Sequence, residues 1–254
     1  MINDDQLYRY SRQIIMPEIN EEGQEMLLKA KVIIIGAGGL GCPLGLYLAG
    51  AGIGEITLVD NDIIEISNLN RQIAFTNDDL GKSKSDALKV SMTNLNPTVK
   101  VISIKDRLSN ENISDLFYKK NLVVDCTDNF ETRHLIAKEC LAQKIPMSFG
   151  SAVRQEGQTA FFLAGCNESK EDFDKQKKPC YACVFPIKPK ENNISRCSEA
   201  GILGPITGLI SSIQALNVIR YLTNQKISET LILWDGLSFL EIKITNSHSC
   251  PICS

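Results

Sequence analysis

The fold is indicated by one stretch near the N-terminus, Lys31-Val32-Ile33-Ile34-Ile35-Gly36-Ala37-Gly38-Gly39-Leu40-Gly41. Its β-branched run predicts a fully buried strand of a parallel sheet, which the glycines end abruptly. Gly36, Gly38 and Gly41 satisfy the G-x-G-x-x-G pattern, which lets backbone N–H groups approach a phosphate at a helix N-terminus. A helix to about residue 51 and a strand over 55–60 complete a βαβ unit. This stretch therefore predicts a nucleotide-binding α/β fold, although a close helix–strand contact would also require glycine.

The alternation of strands and helices continues beyond this unit. Helices are predicted over 82–95 and 131–143, and strands over 99–104, 122–125 and 145–150. Strands separated by helices indicate a Rossmann-like, doubly wound, mainly parallel sheet. From about residue 157 the pattern changes to antiparallel strands over 158–163, 230–235 and 239–245, interrupted by a long helix over 206–222. The polar segments 165–179 and 186–204 are predicted to be loops.

Composition restricts the classes of partner and location. A net charge of −3 with 22% charged residues gives no basic stripe, which argues against nucleic acid as a partner. The start of the chain lacks the features of a signal peptide, and no apolar run approaches the length of a membrane span, so we expect a cytoplasmic protein with no membrane contact. The whole chain, 1–254, is predicted to form one domain with an N-terminal helical arm over about 1–30.

An acid and two cations come after the glycine loop. Asp60 ends the second strand, where a carboxylate can accept hydrogen bonds from ribose hydroxyls. On these features alone, an NAD-dependent oxidoreductase is a natural hypothesis. The stretch Ser67-Asn68-Leu69-Asn70-Arg71-Gln72 adds amides and a guanidinium suited to phosphate oxygens, and Lys84 adds a second cation. Taken singly, each cation is more often a solvated surface charge, but together they favour a triphosphate.

A further acid lies at the end of a predicted central strand, in Asp125-Cys126-Thr127-Asp128-Asn129. Open α/β sheets bind their ligands at this edge. Magnesium takes one or two carboxylates together with substrate phosphates, so Asp128 is a candidate magnesium ligand in an ATP site. The alternative is that Asp128 caps the following helix, and both interpretations can hold.

Two C-x-x-C pairs, Cys180-Tyr181-Ala182-Cys183 and Cys250-Pro251-Ile252-Cys253, have the pattern of a structural tetrathiolate zinc site. A redox role is the alternative, but neither pair lies in a thioredoxin-like βαβ context. Four thiolates leave no open position, so such a zinc would be structural. Cys42, Cys126 and Cys140 are most simply core residues. Cys197 lies in a polar stretch beside Arg196, which would lower its thiol pKa, yet a lone loop cysteine is usually inert.

Five motifs in order resemble the ThiF/MoeB/HesA family, bacterial relatives of the ubiquitin-activating enzymes: Arg9-Tyr10-Ser11-Arg12-Gln13-Ile14, the glycine loop, Asn68 to Gln72, Asp125 to Asn129, and the paired C-x-x-C motifs. The resemblance implies a ThiF-type adenylation domain with a nucleotide-binding half over about 31–150 and a carrier-binding and zinc half over about 151–254. In that reaction a ubiquitin-like sulfur carrier ending in Gly-Gly, of ThiS or MoaD type, attacks the α-phosphate of ATP and releases pyrophosphate.

The resemblance also implies roles for individual residues. Arg71 and Lys84 would bind the phosphates, Asp128 the magnesium, and Arg12 would reach the site from the neighbouring subunit of a homodimer, much as arginine fingers do. The nucleotide would be held by a larger set that includes Gly36, Gly38, Gly39, Gly41, Asp60, Asp62, Ser67, Asn68 and Asn129.

Members of the family differ in the step after adenylation. In thiamine-pathway members a cysteine at the position of Cys197 joins the carrier through an acyl-disulfide, whereas molybdopterin-pathway members release the adenylate for sulfuration elsewhere. A cysteine also occurs there in molybdopterin members, so Cys197 does not decide the pathway. The stretches over 9–12 and 201–205 favour the thiamine type. We expect the sulfur to come from another protein, such as a cysteine desulfurase. A third hypothesis is a zinc-stabilised scaffold that binds nucleotide without turnover.

Overall fold

The computed structural model describes residues 2–163, 178–186 and 200–253. In these residues one sheet of eight strands runs through the molecule. The strands are β1 Lys31–Ile35, β2 Glu55–Val59, β3 Lys100–Ile104, β4 Leu122–Asp125, β5 Met147–Val153, β6 Glu156–Phe162, β7 Thr230–Trp234 and β8 Phe239–Lys243.

The strand order is β3-β2-β1-β4-β5-β6-β7-β8. The first five strands in this order, β3-β2-β1-β4-β5, pair in parallel. The remaining pairs, from β5 to β8, are antiparallel. The prediction of a Rossmann-like parallel sheet extended by antiparallel strands is therefore confirmed. The order reverses between β1 and β4, whose last residues Ile35 and Asp125 lie in register. Open α/β sheets bind ligands in the crevice at such a switch point.

The described helices are α1 Asp4–Arg9, α2 Ser11–Ile14, α3 Asn20–Lys29, α4 Gly41–Ala51, α5 Lys84–Leu95, α6 Ile113–Phe117, α7 Phe130–Gln143, α8 Tyr181–Val184 and α9 Gly204–Leu222. Short 3-10 helices span Ile66–Asn68 and Asn77–Asp79. The sequence did not predict α6 or α8, because helices of five and four residues are too short to show a 3.6-residue period.

Strand β5 differs most from its predicted bounds of 145–150. It begins at Met147, after Pro146, whose carbonyl still accepts a hydrogen bond from the N–H of Val123. It continues to Val153 because it forms a hairpin with β6, in which Arg154 takes a positive φ of 54° at the turn. The strand starts late because proline has no N–H to donate to a β-ladder. It ends late because the tight turn lets β5 and β6 remain paired up to the hairpin.

Both faces of the parallel strands are covered. Val32 and Ile34 contribute to one buried cluster, together with side chains of α4, α5 and α9. Ile33 and Ile35 contribute to the other, together with side chains of α6, α7 and α8. Because successive side chains of a strand point to opposite faces, a strand buried on both sides must be apolar throughout. This explains the unbroken run from Val32 to Ile35.

The N-terminal arm is docked on the body of the protein through Tyr10, which is 1% exposed. Its hydroxyl accepts a hydrogen bond from Asn96 Nδ2 at 2.9 Å and lies 3.2 Å from Thr98 Oγ1. A Cβ at Gly52 would lie 2.6 Å from the Tyr10 ring, so only glycine leaves room for it. Two residues further on, Arg12 is exposed.

No helix in the described ranges is both long and apolar enough to cross a bilayer. Cys197, the charged segment 167–178 except its last residue, and most of the two predicted loops lie outside the described residues.

Candidate active site

A cavity of about 870 Å³ opens at the switch point, along the carboxyl ends of the parallel strands. It brings together ten of the residues that the sequence assigned to nucleotide or metal binding. These are Gly36, Gly38, Gly39, Asp60, Asp62, Asn68, Arg71, Lys84, Asp128 and Asn129. They come from separate segments of the chain, and the sheet topology places them around one space.

The glycines of the loop have two different functions in the structure. Gly36 has a φ of +98°, and a Cβ there would lie 2.8 Å from the carbonyl oxygen of Cys126. A Cβ at Gly41 would lie 2.0 Å from the Gly36 carbonyl, and Gly41 does not line the cavity. At Gly38 a Cβ would meet only Gln72 Nε2, at 3.8 Å. Gly36 and Gly41 therefore permit close backbone packing, whereas Gly38 leaves open space in the cavity.

Helix α4 begins beside this open space at Gly41. Among the described residues, no side chain caps its N-terminus. The first N–H groups of a helix need partners from outside it, and they attract anions together with the helix dipole. The loop and the helix start therefore form a suitable cradle for a phosphate.

Asp60 is tied to the glycine loop by its own carboxylate. One oxygen accepts the N–H of Ala37 at 2.7 Å, and the other accepts the N–H of Asp62 at 2.8 Å. Burial raises the pKa of Asp60, and the two N–H groups oppose that rise. Each carboxylate oxygen has a further lone pair, so Asp60 can still accept hydrogen bonds from a ribose.

Lys84 is the first residue of α5, and its side chain is only 9% exposed. Its ammonium forms an ion pair with Asp62 at 2.8 Å. A cation in the first turn of a helix is opposed by the helix dipole. The Lys84 charge is thus held at an unfavourable helix position beside a cavity, as expected of a residue retained for ligand binding.

Arg71 lies in the cavity wall together with the glycine loop. Its Nη1 donates to the Ser67 carbonyl and to Asn70 Oδ1, both at 3.0 Å. Asn68 is buried and its side-chain oxygen accepts the N–H of Glu65. Ser67 does not line the cavity but holds Arg71 through its carbonyl.

The turn after β4 carries Asp128 and Asn129. Asn129 caps α7, since its side-chain oxygen accepts the N–H of Thr132 at 2.9 Å. The structure therefore assigns capping to Asn129, and the alternative role of Asp128 as the helix cap was wrong. Within the described residues the Asp128 carboxylate has no hydrogen bond or ion pair, and it lies in the cavity wall.

Sequence reasoning missed Arg133, which lines the cavity and is 5% exposed. The signal was present in the spacing: Arg133 shares the buried stripe of α7 with Ile136, Ala137 and Cys140. A charged residue in an apolar stripe is rarely buried without a partner or a function. Gln72, also buried in the cavity wall, was quoted in a motif without a role.

Besides Gly41 and Ser67, one further described residue of the predicted nucleotide site does not line this cavity. Arg12 lies on α2 and does not line the cavity of its own chain. Cys197 lies outside the described residues.

The two C-x-x-C pairs meet, as their pattern indicated. The ligand sulfurs of Cys180, Cys183, Cys250 and Cys253 all lie within 4.8 Å of one another. The closest pairs across the two motifs are 3.5 Å and 3.4 Å apart. A tetrahedral zinc with Zn–S bonds of about 2.3 Å requires S···S separations of about 3.8 Å. Cys42, Cys126 and Cys140 are buried, as expected of core residues.

The solved structure of MccB from E. coli with ATP is similar to this protein, with a TM-score of 0.79, 25% identity and coverage of 96% of this chain and 74% of that chain. The adenylyltransferase and sulfurtransferase MOCS3 of Dictyostelium discoideum is 39% identical over 99% of this chain and 58% of its own length. The adenylyltransferase and sulfurtransferase uba4 of Aspergillus niger is 39% identical over 99% of this chain and 53% of its own length. The chain thus spans little more than half the length of these two relatives. The model of the ThiF family matches residues 10–252, and the chain belongs to the ThiF family.

Proposed function

We propose that this protein adenylates the C-terminal Gly-Gly carboxylate of a ubiquitin-like sulfur carrier, with ATP as the substrate and pyrophosphate as the product. The observation that carries the proposal is the convergence, around one cavity, of the glycine loop, the Asp60 carboxylate, the cations Arg71 and Lys84, and Asp128. Two relatives are named adenylyltransferases, and similar MccB was solved with ATP. The glycine loop and Asp60 would also suit an NAD-dependent oxidoreductase, but hydride transfer does not need Arg71, Lys84 and Asp128 beside them.

The nucleotide half of the cavity lies over β1 and β2. Asp60 at the end of β2 would accept hydrogen bonds from the ribose hydroxyls. The loop N–H groups and the start of α4 would face the phosphates. Asn68 and Asn129, which line the same cavity, would complete the binding of the nucleotide.

Arg71 and Lys84 would bind the polyphosphate. Attack on the α-phosphate develops charge on the departing pyrophosphate, and fixed cations stabilise that charge. Asp62 holds the Lys84 ammonium in place at 2.8 Å, so little reorganisation is required. A C-terminal carboxylate is already ionised at neutral pH, so no general base is needed.

Asp128 would hold a magnesium ion. Among the described residues the cavity is lined by four basic side chains, Arg71, Lys84, Arg107 and Arg133, and by five acidic ones, Asp60, Asp62, Glu65, Asp106 and Asp128. These side chains together do not offset the charge of a triphosphate. Magnesium, when bound, neutralises polyphosphate charge, and a free carboxylate is the ligand type that it takes in proteins.

Arg12 would act in the cavity of a neighbouring subunit. It comes two residues after the anchored Tyr10, and the nearby Ile15 and Met16 are exposed apolar side chains that a second copy would cover.

Arg12→Ala and Lys84→Ala should each lose pyrophosphate exchange. An equal mixture should regain about a quarter of wild-type exchange, because half of the dimers are mixed and each has one intact cavity. No recovery after subunit exchange would contradict a shared site.

The four cysteines fit a structural zinc ion in donor type and spacing. Such an ion would tie residues 180–183 to residues 250–253. With four thiolate ligands it would leave no position for substrate, so its contribution is to stability. Metal analysis of the purified protein should give about one zinc per chain.

We propose a MoaD-type carrier of the molybdopterin branch. The thiamine type, which the stretches over 9–12 and 201–205 favoured, is less consistent with relatives named MOCS3 and uba4. An external sulfur donor, a thiol role for Cys197 and a cytoplasmic location stay predictions from the sequence.

The carrier would dock on the half from about residue 151. Strand β8 is an edge strand in the described sheet, and all five of its residues are exposed. Phe239, Leu240 and Ile242 on it are large apolar side chains about half exposed. Apolar side chains on a sheet edge mark a surface for another protein.

The deciding experiment is ATP–pyrophosphate exchange with a panel of purified carriers ending in Gly-Gly, of MoaD and ThiS type. Exchange that requires both the carrier and its terminal glycine would support the proposal. A carrier with the last glycine deleted is the matched control. Absence of exchange with every carrier, while the protein still binds ATP, would favour the scaffold hypothesis instead.

A further inference from the structure

Arg133 holds the turn that carries Asp128 from one side. Its Nη2 donates to the Thr127 carbonyl at 2.6 Å and to Ser151 Oγ at 3.2 Å. The guanidinium thereby connects the turn after β4 to the neighbouring strand β5. Hydrogen bonds from a charged donor are roughly twice as strong as neutral ones, so this connection constrains the Thr127 backbone firmly.

Asp125 holds the same turn from the other side. Its Oδ1 accepts the N–H of Thr127 at 2.9 Å and the hydroxyl of Thr127 at 2.7 Å. Thr127 is therefore fixed through its N–H, its hydroxyl and its carbonyl. Asp128 is the next residue, and its own carboxylate has no hydrogen bond or ion pair within the described ranges. The backbone position from which the Asp128 side chain extends is thus set by the residue before it.

The Arg133 side chain is itself held by aromatic rings. Its guanidinium lies 5.2 Å from the ring centre of Phe149 and 5.5 Å from that of Phe130. Tyr181, between two cysteines of the cluster, packs on Phe149 with ring centres 5.1 Å apart. Burial raises the pKa of Tyr181 to about 12, and the charge on Arg133 opposes that rise, as expected for neighbouring groups. Packing as well as hydrogen bonding therefore fixes the guanidinium.

We propose that Arg133 is a positioning residue, which orients Asp128 for the magnesium–ATP complex by holding the Thr127 carbonyl against Ser151. The inference rests on the proposed function, in which Asp128 is the magnesium ligand. Residues that orient a metal ligand from behind affect metal affinity by roughly 10- to 100-fold when they are replaced.

Charge and position make opposite predictions at this site. If Arg133 acted only through its charge, its loss would weaken binding of metal-free ATP most, because that species is the more negative. The gain in ATP affinity on adding magnesium would then increase. If Arg133 positions Asp128, the gain from magnesium shrinks instead, because the ligand carboxylate is no longer directed at the ion.

The experiment measures the Kd of ATP by calorimetry with saturating magnesium and with EDTA, on the full chain. For Arg133→Gln we expect the gain in affinity from magnesium to fall by about tenfold, or to the level of Asp128→Asn if that is reached first. Arg133→Lys should also reduce the gain, since an ammonium keeps the charge but not the planar fork. Ser151→Ala removes one of the two contacts and should give a smaller reduction in the same direction.

Lys138→Gln is the matched control, because Lys138 is exposed on the same helix and its replacement changes the net charge equally. Its gain from magnesium should equal that of the wild type. Unfolding temperatures of the nucleotide-free variants separate global destabilisation from misplacement. An unchanged or increased gain in Arg133→Gln would overturn the inference, and Ser151→Ala decides the matter if Arg133→Gln does not fold. If wild-type ATP binding does not respond to magnesium at all, the proposed magnesium role of Asp128 fails instead.

Discussion

The two ends of the sheet differ in what their strands do with apolar side chains. Every residue of β4 is buried, and so is every residue of β1 after Lys31. At the other end of the sheet, every residue of β8 is exposed. Both regions are rich in apolar residues, so composition alone does not separate them.

The difference separates two tasks. Parallel strands covered on both faces cannot slip in register, and polar groups at their carboxyl ends therefore hold fixed positions. Asp60, Thr127 and Asp128 all lie just beyond the ends of such strands. The antiparallel end has an uncovered edge, which suits contact with a second protein more than chemistry. Substitutions at the parallel end should thus affect the binding and reaction of ATP. Substitutions at the antiparallel end should affect binding of the carrier.

The largest effect is expected for Lys84→Ala. Loss of a fixed cation at a developing charge typically costs about 10²- to 10³-fold in rate, so pyrophosphate exchange should fall by that amount. The released Asp62 is 61% exposed and can be solvated, so the unfolding temperature should change little. The measurement is exchange at saturating carrier.

Lys82→Ala is the matched control for this variant. Lys82 also pairs with a carboxylate, Asp79 at 3.0 Å, but its side chain is 58% exposed. Surface ion pairs contribute little, so exchange should remain within about twofold of the wild type. Equal losses in the two lysine variants would show that Lys84 acts only through general charge.

The second prediction concerns β8. Phe239 and Leu240 point to opposite faces of the sheet, because they are consecutive in a strand. The carrier would contact one of these faces, so at least one of Phe239→Asp and Leu240→Asp should raise the KM for the carrier by about 30-fold. This is the equivalent of one interface hot spot near 2 kcal/mol. The Kd of ATP should not change in either variant. Normal carrier KM in both would exclude β8 as the docking surface.

The third prediction concerns the four-cysteine cluster. Cys250→Ser should reduce bound zinc from about one per chain to near zero. Structural zinc sites carry apparent binding energies on the order of 10 kcal/mol, and a loss of about 3 kcal/mol of that would lower the unfolding temperature by roughly 6–12 °C. Cys140→Ser, at a buried cysteine outside the cluster, is the control that should retain its zinc. Full metal loss with an unchanged unfolding temperature would contradict a structural role.

The smallest effect is expected from the buried acid of β4. Burial raises the pKa of Asp125 in the folded state, and the charge on Arg133 only partly opposes it. The folded protein therefore binds this proton more tightly than the unfolded chain, and the contribution of Asp125 to stability falls as pH rises above about 4. In Asp125→Asn that loss is absent.

Urea unfolding of Asp125→Asn and wild type at pH 5 and pH 7 tests the sign. The free energy of unfolding of the variant relative to the wild type should increase towards pH 7, by up to about 1.4 kcal/mol for each unit by which the folded and unfolded pKa values differ. A relative stability that declines over this range would mean that the Asp125 pKa is lowered.

The parallel sheet and the cysteine cluster were predictable because few alternatives compete with their patterns. A β-branched run ended by glycines, as at Ile35 and Gly36, indicates a buried strand of a parallel sheet with few alternatives. Paired C-x-x-C motifs have two common interpretations, a metal site and a redox site. Ten of the residues predicted for nucleotide or metal binding also lie in one cavity, since carboxyl ends of parallel strands meet at one edge.

Other features depend on contacts that spacing does not encode. The need for glycine at position 41 comes from the Gly36 carbonyl, and the importance of Ser67 comes from its backbone oxygen. Arg133 was missed although its spacing places it in the apolar stripe of α7, because a charged residue in a helix is normally assigned to the solvent face. Its burial depends on Thr127, Ser151 and Phe149, which only the fold brings together.

The docking of Tyr10 has a thermodynamic consequence for assembly. A flexible arm must lose conformational freedom when it meets a partner, at about 1–2 kcal/mol for each backbone residue that becomes ordered. In this chain the residues around Tyr10 are already immobilised by Asn96 and Thr98 before any second copy arrives. The arm is therefore preorganised. The free energy of association of two copies would depend on the surfaces that meet, because the segment that carries Arg12 would lose little further conformational entropy.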